Sequence, residues 1–128
     1  MDKNMVTVLM VEPDMHPKVI QLRTDLDSMQ KAVSIGADHQ GLIELLPLDK
    51  DIFLLCNEEG KLIGLQGNRR IGADVIAGVF YVVGRNSCGD LVSLSEEQIG
   101  VYKARFWEPE SLSAQDVEHA MFMRFFMF

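Results

Sequence analysis

The chain has 128 residues, 48% of them hydrophobic, enough for one compact domain with its own core and too few for a second. Its 12 lysines and arginines stand against 19 aspartates and glutamates, and the net charge of −7 argues against a general nucleic-acid binder, which needs clustered basic groups to neutralise phosphate. No run of 18 apolar residues is present, so no spanning helix is expected. The cysteines Cys56 and Cys88 sit in separate segments with no CxxC pair and no secretory leader, which points to a reduced, cytoplasmic protein.

The first element is "MVTVLMVEP", a β-branched and apolar run closed by Pro13 that reads as a buried strand over about residues 5–11. "HPKVIQLR" is its expected hairpin mate. In "TDLDSMQKAVS", Thr24 is placed as N-cap with Asp27 three residues on, and Leu26, Met29, Ala32 and Val33 share one face of a short helix. Gly36 and Gly41 bracket a turn before the strand "LIELLPL", which Pro47 is expected to end. Next come "IFLLC", the turn "NEEG" and the strand "KLIGL", a second hairpin by pattern. "GLQGNRRIG" then reads as a loop between strands. "DVIAGVFYVVG" is the longest apolar strand candidate, and its near-continuous hydrophobicity predicts a sheet centre covered on both faces, with a bulge or close backbone approach at Gly78. "RNSCGD" is a turn and "LVSL" a short strand. Ser95 begins a second helix, and Ser113, with Asp116 at the third helical position, begins a third that is apolar on nearly every face.

These elements predict an α+β fold: a mostly antiparallel sheet of about five to six strands, one early helix on one face, and C-terminal helices. Residues 1–105 form the domain, and residues 106–128 a helical extension that packs on the domain or on a second subunit, making the protein a homo-oligomer.

Chemistry-bearing residues are sparse. His16, His39 and His119 stand singly, and although Glu12, Asp14 and His16 alternate near a strand end, no metal site and no cofactor are expected. Cys56 reads as a buried, inert thiol and Cys88 as a turn cysteine. Adjacent carboxylates such as Glu96 and Glu97 point apart and form no acid/base pair. Phe106 and Trp107 read as an anchor that packs the tail on the sheet. No catalytic constellation results, and the protein is expected not to be an enzyme.

Gly64, Gly67 and Gly72 match neither the Walker pattern nor GxGxxG before a helix. The residue types in "GNRR" nevertheless suit anion capture, because Gly67 lets backbone amides approach and Arg69 and Arg70 offer forked donors. With Lys61, Asn68 and Arg85 they form the candidate ligand-binding set, provided the flanking strands bring them to one rim. The competing reading is a solvated corner paired with Glu58, Glu59 or Asp74.

The order "VLMVEP", "MQKAVS", "LIELLPLD", "CNEEGKLIGL", "NR", "DVIAGVFYVVG" and "LVSLSEEQIGVY" resembles a small domain family of unknown function carried by phages, plasmids and integrative elements, chiefly of Gram-positive bacteria. The resemblance spans about residues 5–105, through Asn57 to Leu62, Asn68 with Arg69, and Ala77 with Gly78. It implies an accessory gene of a mobile element, where small proteins counter host defence. The function expected is a non-catalytic anti-defence protein that sequesters a small anionic ligand such as a signalling nucleotide. The alternative is a protein-directed inhibitor whose acidic surface blocks a host defence nuclease or another nucleic-acid-binding protein. Neither reading involves direct nucleic-acid binding or a membrane.

Overall fold

The computed structural model describes residues 4–126, with side chains as far as Phe122. The first apolar run is β1 (Met5–Val11), and the turn after Pro13 returns it into β2 (Lys18–Arg23), antiparallel in the register Met5 to Arg23. Helix α1 (Leu26–Ala32) follows, but its N-cap is Asp25, whose carboxylate accepts from Ser28 N at 3.0 Å. Thr24 instead donates its hydroxyl to Asn4 O, so the two candidate caps divide the work of closing the hairpin and starting the helix.

Strands β3 (Ile43–Asp49) and β4 (Ile52–Asn57) form a second hairpin around Lys50 and Asp51. Pro47 does not end β3. It is tolerated because β3 is an edge strand, and the register slips between Pro47 and Asp49. After β4 the expected strand "KLIGL" is absent: residues 58–64 are turn, with Leu62 70% and Ile63 48% exposed. An apolar run with no partner strand on either side has nothing to pair its backbone, and local turn bonds such as Ile63 N to Glu59 O take over.

The "GNRRI" segment is not a loop but β5 (Gly67–Ile71), paired with β6 (Asp74–Ala77) in a separate two-stranded ribbon. The long apolar run divides at Gly78, whose φ of +83° favours glycine; β6 lies before it and β7 (Phe80–Arg85) after it. Strand β7 is the predicted sheet centre, in the order β2-β1-β7-β4-β3 with β8 (Leu91–Val92) added along its far end. Its residues alternate between two cores. Phe80 and Val82 join Leu9, Leu54 and Phe106 on one face, and Tyr81 and Val83 join Val8, Leu55 and Val33 on the other. Each such aliphatic or aromatic side chain contributes about 1.5–3 kcal/mol on burial.

Helix α1 covers the second face through Val33 and the partly buried Met29 and Ala32. Helix α2 (Glu96–Arg105) covers the first, started by the capping box of Ser95 and Gln98. Helix α3 (Ala114–Phe126) packs Val117 and Ala120 on Val75 and Ala77, the outer face of the β5–β6 ribbon, and its Ser113–Asp116 cap forms as the sequence predicts. The fold is therefore α+β and mostly antiparallel. Of the apolar side chains near the end of the extension expected to pack on the domain or a second subunit, Met121 is partly buried and Phe122 exposed, whereas those of Phe125, Phe126 and Phe128 lie outside those described.

Two phenols tie helices to the sheet. Tyr81 donates to Ala32 O at 2.8 Å and Tyr102 to Asp49 Oδ2 at 2.6 Å. Burial pushes both groups up from 10.0 to about 12, the Asp49 carboxylate adding to the effect at Tyr102. A raised native value stabilises the fold fully below the unfolded value of 10 and loses that contribution as pH rises towards 12. Urea midpoints measured at stepped pH should hold up to pH 10 and then fall, with a slope approaching about 1.4 kcal/mol per pH unit for each tyrosine. Tyr81→Phe should halve that slope, and a flat midpoint between pH 10 and 12 would contradict the burial of both phenols.

Candidate functional site

The bulge of the β5–β6 ribbon falls at Asn68, where the register shifts between Gly67 and Arg69. That shift turns Asn68 inwards. Its side-chain amide donates to Val11 O and Gly78 O, both at 2.9 Å, joining the end of β1 to the corner between β6 and β7. Arg69 lies opposite Ile76 and is 1% exposed. Its guanidinium donates to Phe106 O through Nε and Nη2, to Met15 O at 2.7 Å and to Asn68 Oδ1 at 2.8 Å. Desolvation pulls its pKa below the ordinary value, opposed by the charges of Glu110 and Asp14, yet an arginine stays protonated. The resembling "NR" pair is thus an internal clamp, and the expectation of an exposed Arg69 is corrected.

The rest of the expected basic rim is dispersed. Lys61 is bound to Asp74 at 2.7 Å and to Val75 O, with its side chain 13% exposed. Arg70 faces the opposite side of the ribbon from Arg69, near Glu110 at 4.0 Å and Asp116 at 3.6 Å. Arg85 closes the 86–90 turn by donating to Gly89 O and lies over the Phe53 ring. These three groups and Arg69 serve separate sets of partners and do not line one concavity. The Glu12, Asp14 and His16 cluster disperses similarly, since Glu12 pairs with Lys18, Asp14 accepts from Gln66, and His16 stacks on Trp107 at 3.9 Å. Among the described residues no group of three potential ligands could hold a metal ion. The His16 Nδ1 proton is donated to Trp107 O, which fixes the ring's tautomer. Phe106 anchors the end of α2 in the core, edge-on to Phe80, while Trp107 remains 41% exposed. Cys56 is buried and Cys88 exposed.

A concave feature lies elsewhere. Two adjoining hollows of about 290 and 350 Å³ run between the 34–41 loop and the 58–66 turn, sharing Gly36, Gly64 and Leu65. The first is bordered by Asp38, His39, Glu59 and Ile63, the second by Glu12, Pro13, Ile35 and Val79. None of the expected basic residues lines either hollow. Leu65 forms the saddle between them, seated against Gly78, and the position of Gly64 is open, with no atom within 4 Å of where a Cβ would stand. Sequence reading missed this cleft because it assigned Leu62 to Leu65 to a paired strand.

The sheet thus carries an inward-turned arginine clamp and, apart from it, a shallow cleft whose lining mixes the carboxylates Asp38, Glu59 and Glu12 with His39 and the apolar Ile35, Ile63 and Leu65. The chain belongs to the domain of unknown function family DUF3846, which matches residues 6–107. No curated protein and no solved structure matches the chain. Among the described residues no helix is long and apolar enough to cross a membrane.

Proposed function

We propose that the protein is a non-catalytic accessory protein of a mobile element that binds a host nucleic-acid-binding protein, such as a defence nuclease, and blocks its basic surface. The observation that carries this reading is the division of charge. Arg69 is spent inside the fold, whereas Asp38, Glu58 and Glu59 stand exposed with no ion pair among the described residues, beside the exposed aliphatic side chains of Leu62 and Ile63. A net charge of −7 adds long-range attraction to a basic partner, which raises the rate of encounter and weakens with salt. Sequestration of a nucleotide fits less well, because Arg70 alone of the "NRR" side chains reaches solvent, and it is flanked by Glu110 and Asp116.

Two panels test this reading. Immobilised protein is exposed to basic, DNA-cleaving defence nucleases at low and physiological salt, and its melting temperature is followed against nucleotides and cyclic dinucleotides. The expected result is salt-sensitive association with a nuclease, accompanied by loss of that nuclease's DNA binding, and no thermal shift with nucleotides. A ligand at 100 times its dissociation constant would add about 2.7 kcal/mol, a readily seen shift. Nucleotide stabilisation that disappears in Arg70→Ala would overturn the proposal in favour of anion capture.

A further inference from the structure

We infer that the cleft between the 34–41 loop and the 58–66 turn is the seat for a segment of a partner protein that carries lysine or arginine beside aliphatic side chains. This rests on the protein-directed reading above and assigns it a place. The shape comes first: two hollows joined over Leu65 make a trough with two lobes, each near the lower limit of ligand-pocket volumes, which suits a length of chain better than a compact ligand. The lining comes second. Leu65, Ile35 and Ile63 provide apolar contact, and Ile35 and Ile63 are about half exposed, so a partner's aliphatic side chain would remove them from water.

Charge decides the chemistry of the occupant. Asp38 and Glu59 border one lobe and Glu12 the other, and no lysine or arginine lines either. Glu12 is already paired with Lys18, which leaves the lobe of Asp38 and Glu59 as the place for a cationic side chain. An acidic segment would meet repulsion there, and a purely apolar one would leave both carboxylates facing it without a counter-charge. Exposed carboxylates bind weakly and are screened by salt, so the affinity for a short segment is expected to be on the order of micromolar and to fall as salt rises.

The test uses the full chain and a fluorescein-labelled nine-residue peptide of alternating lysine and leucine, followed by anisotropy. Controls replace the lysines with glutamate or the leucines with serine. Glu59→Lys and Ile63→Ser alter exposed side chains, and unchanged thermal melts establish that both variants fold. The expected result is binding of the lysine–leucine peptide, weakened about tenfold or more by either substitution and by either control sequence. Equal affinity for wild type and both variants, or equal binding of the glutamate peptide, overturns the inference. Nuclease association that survives both substitutions likewise removes the cleft as the seat while the wider reading stands. Peptide binding that depends on Glu59 and Ile63, in a protein that associates with no nuclease, keeps the seat and discards the anti-defence reading.

Discussion

Arg69→Ala is expected to destabilise the fold by about 3–5 kcal/mol, because each buried acceptor left without a donor costs about 1–3 kcal/mol. The substitution removes a side chain that is 1% exposed, leaving Phe106 O and Asn68 Oδ1 without their donor in the interior and Met15 O without its donor at the part-buried margin. Because 1 kcal/mol moves the midpoint of a domain this size by roughly 3–5 °C, the melting temperature should drop by about 10–20 °C. Arg69→Lys should recover only part of the loss, since one ammonium cannot reach carbonyls that a planar fork spans. Urea denaturation gives the comparison directly, and a loss under about 1 kcal/mol would mean that the clamp does not form. From sequence the opposite result is expected, as an exposed guanidinium would leave folding almost unchanged.

Gly78→Val should cost about 2–4 kcal/mol from two separable sources. The φ of +83° is unfavourable for any β-branched residue, and a Cβ at this position would stand 2.7 Å from Leu65 Cδ1. Truncating the neighbour tests the split: in a Leu65→Ala background, Gly78→Ala should lose its steric component and retain a backbone cost of about 1–2 kcal/mol. Thermal melts of the four proteins in that cycle report both parts. If Gly78→Ala is neutral in the native background, the chain does not turn there as described.

Elements whose physics is local are the ones legible in the sequence. The β-branched apolar run "MVTVLMV", the Ser95 and Ser113 caps, and the two-sided apolar pattern of "FYVV" need no distant partner to be read, and all appear where expected. What fails depends on contacts across the chain. Two adjacent arginines suggest solvent, yet Arg69 finds carbonyl oxygens 54 and 37 residues away that no local pattern announces. A signal for β5 does exist: Gly72 and Ala73 form a two-residue loop between Ile71 and Asp74, a hairpin spacing. "KLIGL" misleads in the other direction, because hydrophobicity alone does not supply a neighbouring strand. The candidate site suffers twice from these errors: its predicted arginine moves inside, and its cleft is built from residues assigned to a strand.

The placement of β7 between two earlier hairpins has a consequence for how the chain is made. As a ribosome releases residues 5–57, β1–β2 and β3–β4 can each close, but β1 and β4 have no bond to one another and both await residues 80–85. Until β7 emerges, two apolar strand edges face solvent unpaired, the state in which nascent chains stick to their neighbours. The guanidinium clamp closes later still, since its acceptor at Phe106 is among the last parts of the domain to be translated. Slow release of residues 58–106 from the ribosome should therefore lower the yield of folded protein.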